Sequence, residues 1–294
     1  MPKTAPLERY TASHIDCLRA LARYKYLTHA QFQRLQLAVK HPTHLIKVTG
    51  ELRRSGLTER ILPPIIPGKG RAEGLHFLTP KGARFLADME GVSLQEIGFH
   101  PVFSTISVDY WHRKTLIDFQ ISLDQTLEET PLVVGTFNRY FDKTGANRTN
   151  DPERGNLRSM SRVELGKDFF IIPDAIFTVQ DAADPSKRVL FCLEIAMGDK
   201  TKQNLEQIRK HIYAMRTGAI PEAYGTKTGY RCLHLFERGE LLEAVVKRFH
   251  EIPDAGTFRE YFLFAEVEAF RVDPLKCWKM PGSSSPVNFI TGKA

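Results

Sequence analysis

Cysteine is scarce in this 294-residue chain, and its placement excludes two classes of small fold. The four cysteines lie far apart, at Cys17, Cys192, Cys232 and Cys277, and no two form a CxxC pair. Structural zinc sites and disulfide frameworks both depend on closely and regularly spaced cysteines. We therefore expect reduced thiols, with neither a zinc ribbon nor a disulfide-stapled core.

Long hydrophobic runs are also missing. No stretch approaches the roughly eighteen apolar residues that a membrane-spanning helix needs. The segment from Met1 to Tyr10 is polar and contains proline, unlike a signal peptide. Hydrophobic residues still make up 42% of the chain, which is enough for the core of one large domain or two ordinary ones. The composition predicts a cytoplasmic globular protein.

Positive charge is concentrated in the N-terminal third. Residues 1–100 contain fifteen Lys or Arg against eight Asp or Glu, whereas the rest of the chain contains twenty-six of each. A concentrated positive field favours a polyanion as partner. The distribution predicts that residues 1–100 form a domain that binds double-stranded DNA.

The local pattern in residues 1–100 predicts a winged helix-turn-helix. Helix caps, apolar stripes and turn residues mark three helices, a hairpin with a basic tip and a closing helix. The expected elements are helices over 11–24, from a cap at Thr28 and from a cap at Thr43 to about Arg54, strands near 58–62 and 75–78, and a helix from Thr79-Pro80 to near Gly91.

In a winged helix the third helix enters the major groove and the wing contacts the backbone or the minor groove. The inward stripe of the third helix is predicted to be Leu45, Val48, Thr49 and Leu52, with Gly50 on the outer face. The predicted DNA-binding residues are Thr43, His44, Lys47 and Arg54 on the helix and Lys69 and Arg71 at the tip. The alternative is a small helical domain that contacts another protein.

Two acidic residues stand in separate apolar stretches of the remaining chain. Asp174 lies in the run 169–179 and Glu194 in the run 188–195, both rich in the β-branched and aromatic residues typical of buried strands. A carboxylate buried there costs several kcal/mol unless it is paired or bound to a cation. The pair therefore either shares one divalent metal ion or lies at strand ends facing water.

The order of the other elements predicts a mixed α/β (α+β) domain over residues 101–294. The buried stripe of the first helix is predicted to be Leu116, Phe119, Leu123 and Leu127. His112 and Asp109 fall on the same face one and two turns earlier, where a histidine is either structural or catalytic. The polar stretch 138–168 is predicted to be a solvated loop, with a nucleic-acid clamp as the alternative. The expected elements are a helix at 106–129, strands at 132–141, 169–179 and 188–195, a helix at 200–217, a strand at 230–236, a helix at 241–250 and edge strands within 261–272.

This order, with Pro173-Asp174 and Leu193-Glu194 on successive strands, resembles the PD-(D/E)XK nuclease fold. A winged helix ahead of such a core is similar to the replication-relaxation family, which includes plasmid mobilisation relaxases of the MobC type. The other segments that fit the family are Leu-Thr-Pro-Lys-Gly at 78–82, the helix around His112, Gly198 after the Glu194 strand, and Arg209 with Tyr213 on the next helix.

The resemblance implies that Asp174 and Glu194 bind Mg²⁺ or Mn²⁺, and that the protein nicks or relaxes DNA at a plasmid or mobile-element origin. The nuclease pattern has a lysine two residues after the glutamate, where this chain has Ala196. Lys202 is the predicted replacement, with Lys200 or Arg209 as alternatives, and His112 is a further catalytic candidate. Tyr140 and Tyr213 are possible nucleophiles, although nothing local in the sequence activates either.

Two other functions remain open on the sequence. The missing lysine favours a non-enzymatic DNA-binding regulator, or a replication or mobilisation accessory, with a degenerate nuclease core. The winged helix is also compatible with an adaptor that binds protein. The retained Asp174 and Glu194 favour the enzyme.

Overall fold

The computed structural model describes residues 10–37, 41–63, 72–99, 109–145 and 157–292. The chain divides into two compact units, Met1–Ile121 and Ser122–Ala294. The domain boundary predicted at 100/101 falls in 100–108, outside the described residues. The division at Ile121 lies within one long helix, α5, whose predicted inward stripe is buried.

The N-terminal unit has the predicted order of three helices, an antiparallel two-stranded hairpin and a fourth helix. The caps at Thr28 and Thr79 are confirmed, and the left-handed Gly91 ends the fourth helix as expected. The elements are α1 Ala12–Tyr24, α2 His29–Arg34, α3 Pro42–Arg54, β1 Thr58–Ile61, β2 Leu75–Leu78, α4 Pro80–Glu90 and α5 Tyr110–Leu127.

Helix α3 begins two residues earlier than predicted. Pro42 takes the first helical position, where its missing N–H costs nothing, and His41 is the cap, its side chain accepting the Thr43 N–H at 3.4 Å. The cap predicted at Thr43 is therefore wrong. The inward stripe is confirmed, because Leu45, Val48, Thr49 and Leu52 are all buried.

The C-terminal unit is built on a mixed seven-stranded sheet in the order β13-β12-β11-β10-β9-β8-β3. Strand β8 pairs antiparallel with both β3 and β9, and β10 is parallel to β9. Helix α6 connects β9 to β10. The chain is thus a mixed α/β (α+β) protein, with the element order that the sequence predicts around Asp174 and Glu194.

The bounds of the elements in this unit agree with the prediction best for α6 and β10. They are β3 Leu132–Arg139, β4 Lys143–Thr144, β5 Arg158–Ser159, β6 Val163–Gly166, β7 Phe169–Ile171, β8 Ala175–Asp181, β9 Arg188–Ala196, α6 Thr201–Thr217, α7 Ala219–Ala223, β10 Tyr230–Phe236, α8 Gly239–Arg248, α9 Ala255–Phe258, β11 Phe262–Glu266, α10 Val267–Val272, β12 Trp278–Lys279 and β13 Pro286–Val287.

The solvated loop predicted at 138–168 is wrong for the part that the structure describes. Strand β4 pairs with β5 and β6 pairs with β7, while residues 146–156 lie outside the described ranges. A buried ion pair joins Arg139 and Asp142 at 2.9 Å. Very short strands and buried charges leave no hydrophobic alternation in the sequence, so the pattern predicts a loop.

Two further strand predictions are corrected. The second half of the predicted edge strands at 261–272 is the helix α10. The run 169–179 is two strands, because Pro173 has no N–H to donate to a sheet ladder and separates β7 from β8.

One face of the large sheet packs under helices α6 and α8. The buried cluster there includes side chains of the same face of β8, β9 and β10, such as Ile176, Cys192 and Cys232, together with Leu205 and Ile208 from α6. Glu194 belongs to this face, since side chains alternate along a strand and Cys192 is two residues away. In the described ranges, no helix combines the length and apolar character needed to cross a membrane.

Candidate functional site

Asp174 and Glu194 are brought together by the pairing of β8 with β9. Ala175 stands opposite Leu193 in the antiparallel register, so the next residues outward, Asp174 and Glu194, also face each other on one side of the sheet. Asp174 Oδ2 accepts a hydrogen bond of 2.7 Å from the N–H of Ile195. The two predicted site carboxylates are therefore neighbours.

Asp174 lies in the connection just before β8 and is half-buried, so its predicted position inside a buried strand is wrong. The backbone of this connection is held on both sides. The Pro173 carbonyl accepts from the Ser161 hydroxyl at 2.6 Å, and the Asp174 carbonyl accepts from the Tyr140 N–H at 2.9 Å. Because Pro173 interrupts the strand, Asp174 lies just before the start of β8, where its carboxylate accepts the hydrogen bond from Ile195 of the neighbouring strand β9.

Glu194 is 6% exposed and takes part in a buried hydrogen-bond network that the sequence analysis missed. Its Oε1 lies 2.9 Å from Nε2 of His211, on α6. The other ring nitrogen of His211, Nδ1, lies 3.0 Å from the hydroxyl oxygen of Tyr230, on β10. The same hydroxyl donates to the backbone carbonyl of His211 at 3.0 Å.

Burial governs the electrostatics of this network. It raises the pKa of Glu194 well above its usual range, the negative charge of Asp174 raises it further, and the positive charge of Lys210 opposes both effects. Burial, together with the nearby His234, lowers the pKa of His211 well below its usual range. The ionised form of Glu194 is thus disfavoured, and a cation bound nearby would stabilise it.

The candidate cations for the site are lysines at the start of α6 and along it. A shallow cleft of about 900 Å³ runs along one side of this helix and is lined by Lys200, Lys202 and Lys210 together with Asp199 and Glu206. Lys202, the predicted catalytic cation, is exposed in the first turn of the helix, whereas Lys210 is half-buried two turns further on. Lys210 is the lysine whose charge acts on Glu194, and it escaped the sequence analysis.

The donor set at the site suits a hard divalent cation. In the part of the chain that the structure describes, no group of three or more His, Cys, Asp or Glu side chains is placed to hold a metal ion. Mg²⁺, however, commonly binds through only one or two carboxylates, with waters completing its octahedron. Asp174 and Glu194 supply that minimum, so the residues present fit Mg²⁺ or Mn²⁺.

The remaining catalytic candidates lie on two helices, α5 and α6. His112 lies half-buried on α5 in the N-terminal unit, and its catalytic role stays a prediction. Tyr213 is half-buried on α6 and lies edge-on to Phe169, with ring centroids 5.3 Å apart. Arg209 is exposed and pairs with Glu206 at 3.3 Å.

The outer face of α3 carries the described DNA-binding candidates. Thr43, His44, Lys47 and Arg54 are all exposed, as predicted. Two residues that the sequence analysis passed over, Arg53 and Ile46, are exposed as well, and Ile46 reaches 59%. Lys69 and Arg71 lie in 64–71, outside the described residues.

The buried polar residues of the Glu194 network have no distinctive pattern in the sequence. His211 and Tyr230 lie at positions that helix and strand periodicity mark as core. Only their convergence on Glu194 distinguishes them from ordinary buried side chains. No protein-family model, no curated protein and no solved structure matches this chain.

Proposed function

We propose that this chain is a DNA-binding protein of a plasmid or mobile element. The N-terminal unit would recognise double-stranded DNA at an origin, and the C-terminal unit would nick or relax one strand with Mg²⁺ or Mn²⁺. The observation that carries the proposal is the apposition of Asp174, directly before β8, and Glu194, on the paired strand β9, in an αβββαβ core.

DNA binding is supported by the N-terminal unit. Its α3 presents an exposed polar and basic face that includes Lys47 and Arg54, while its inner face is fully committed to the core. The cationic excess of the whole chain falls within residues 1–100. A helix with an exposed basic face, followed by a hairpin, is the arrangement that winged helices use on duplex DNA.

Strand cleavage is supported by the chemistry of the site. A divalent cation would supply a Lewis acid that neutralises charge on the scissile phosphate and lowers the pKa of an attacking water. Asp174 and Glu194 would hold it through carboxylate oxygens. Lys210, rather than the predicted Lys202, is the better substitute for the lysine absent at Ala196, because its charge already acts on Glu194.

A non-enzymatic DNA-binding regulator or mobilisation accessory is the second candidate. Two observations favour it, namely Ala196 at the motif position and the hydrogen bond that engages Glu194 with His211. In that case the nuclease-like core is a scaffold, and the carboxylates stabilise the β8–β9 connection.

A nicking assay separates the two candidates. A binding site is first selected from a random fragment library with the full chain and cloned into a supercoiled plasmid. With Mg²⁺ or Mn²⁺, the wild-type protein should convert this plasmid to the open-circular form. Asp174→Asn and Glu194→Gln should abolish conversion, because each removes an ionisable oxygen ligand. Lys210→Ala should slow it by about 10²–10³, the usual value of one charge-stabilising group.

The matched control is Asp181→Asn, which neutralises an aspartate at the opposite end of β8 and should nick normally. Lys202→Ala should be slowed less than Lys210→Ala. Equal nicking by the wild type and Glu194→Gln would place the activity elsewhere. Tight binding of the selected site with no nicking in either metal would establish the non-enzymatic candidate.

A further inference from the structure

We propose that His211 and Tyr230 are positioning residues, which hold the Glu194 carboxylate in the orientation that binds a divalent cation together with Asp174. The inference rests on the proposed function in one respect, the assignment of Asp174 and Glu194 as cation ligands. It adds two residues from different elements that never touch the cation and act through Glu194.

The three side chains form a continuous buried chain of hydrogen bonds. His211 is 0% exposed and Tyr230 1% exposed, so water cannot substitute for either partner. The contacts are 2.9 Å from Glu194 Oε1 to His211 Nε2 and 3.0 Å from His211 Nδ1 to the Tyr230 oxygen. A buried polar group destabilises the fold unless it forms a hydrogen bond, and here each of the three side chains has a hydrogen-bond partner.

The imidazole of His211 is fixed at two points. The Tyr230 hydroxyl lies 3.0 Å from both Nδ1 and the backbone carbonyl of the same histidine. Because that hydroxyl donates its proton to the carbonyl, its oxygen accepts from Nδ1, and this second contact fixes the plane of the imidazole ring. The plane of the ring in turn sets the direction from which Nε2 meets Oε1 of Glu194.

The geometry also ties three elements to the site. Glu194 is on β9, Tyr230 opens the parallel strand β10, and His211 lies in the middle of α6. With Oε1 of Glu194 held by α6, Oε2 is the oxygen left for a cation beside Asp174. Removing outer partners of this kind typically weakens metal affinity by 10–100-fold without touching a ligand.

The experiment measures Mn²⁺ binding to the full-length protein, without DNA and without turnover. Free Mn²⁺ is quantified by its electron paramagnetic resonance signal during titration, and circular dichroism verifies that each variant is folded. Asp174→Asn and Glu194→Gln should abolish binding. His211→Leu should weaken it by 10–100-fold. Tyr230→Phe, which keeps the buried ring and removes only the hydroxyl, should weaken it by about 10-fold.

Two further variants distinguish positioning from packing. His211→Gln restores a hydrogen-bonding amide near the position of Nε2 and should recover most of the affinity lost in His211→Leu. Tyr224→Phe removes a hydroxyl that bonds to Asn138 and to the Met160 carbonyl, away from Glu194, and should bind Mn²⁺ as the wild type does.

The outcomes separate the two proposals. Wild-type affinity in both Tyr230→Phe and His211→Leu, with binding lost in Glu194→Gln, would overturn the positioning role and leave the cation site intact. Absence of Mn²⁺ binding by the folded wild type would overturn the cation site itself, and the positioning role with it. Equal weakening by Tyr224→Phe and Tyr230→Phe would attribute the effect to general loosening of the unit and would also overturn the positioning role.

Discussion

At the scale of single residues, one buried histidine has a predictable effect on stability. His76 is 4% exposed in the N-terminal unit, and its ring stacks on that of His29 at a centroid distance of 4.6 Å. Neither of its ring nitrogens has a hydrogen-bond partner among the described residues. Burial, followed by the charges of His29, Arg60 and Arg53, lowers the pKa of His76 to about 3.

This burial predicts that the N-terminal unit loses stability in mild acid. The unfolded chain protonates His76 near its ordinary pKa of about 6.5, whereas the folded protein does not do so until about pH 3. The unfolded state therefore binds more protons between these values, and stability falls as the pH drops through 6.5. At pH 5 the loss from this residue should be about 2 kcal/mol.

The measurement compares wild type with His76→Phe, which keeps a ring against His29 and cannot titrate. Hydrogen exchange of the N-terminal-unit amides at pH 7.5 and pH 5 gives the opening free energies. The variant should gain about 2 kcal/mol relative to the wild type between the two pH values. If the opening free energies of the wild type and the variant differ by the same amount at both pH values, His76 is not the titrating group.

At the scale of elements, two helical glycines of the N-terminal unit have opposite structural roles. A Cβ on Gly82, in the first turn of α4, would overlap the backbone carbonyl of Leu57. This close approach lets α4 lie directly on the chain that leads into β1. Outside the backbone of its own helix, a Cβ on Gly50, in α3, would meet as its nearest atom the side chain of Arg54, at 3.6 Å.

Alanine substitutions at the two glycines should therefore change stability in opposite directions. Gly82→Ala should lower the free energy of unfolding by about 1–3 kcal/mol, because backbone must move to admit the methyl group. Gly50→Ala should raise it by up to about 1 kcal/mol, since alanine is the better helix former. Urea unfolding of the full-length variants tests both, and equal destabilisation would contradict the close approach of α4 to Leu57.

At the scale of the whole molecule, charge is divided unequally between two units of different architecture. The helical N-terminal unit carries the cationic excess, and the sheet-based unit carries the carboxylate pair. If the first unit binds duplex DNA through α3, affinity should fall as salt rises, because each neutralised phosphate releases counterions. We therefore predict that substitutions in α3 weaken DNA binding, whereas substitutions of the carboxylate pair abolish cleavage without weakening DNA binding.

The double substitution Lys47→Ala/Arg54→Ala tests this division in the full-length protein. Fluorescence anisotropy with a labelled duplex at several salt concentrations should show weaker binding, with a salt slope smaller by about 1 for each phosphate that the variant no longer neutralises. The matched control, Arg271→Ala/Lys279→Ala, removes two exposed cations from the C-terminal unit and should bind as the wild type. Equal weakening in both double variants would remove α3 from the interface.

The sequence by itself determined the elements whose signals are local. The inward stripe of α3, the caps at Thr28 and Thr79 and the span of β10 all follow from side-chain periodicity and capping chemistry within a few residues. The order of helices and strands around Asp174 and Glu194 follows from the same signals. Local patterns suffice there because each element carries its own hydrophobic face.

Tertiary structure alone decided how the candidate site is assembled. The short strands between 143 and 171 are defined by their pairing, and the Arg139–Asp142 ion pair just before them is buried; neither feature leaves a periodic pattern in the sequence. The hydrogen bond of Glu194 with His211, and the reach of Lys210, depend on how α6 packs across β9 and β10. Interactions between residues distant in sequence are set by packing, and packing is a property of the assembled sheet rather than of any one segment.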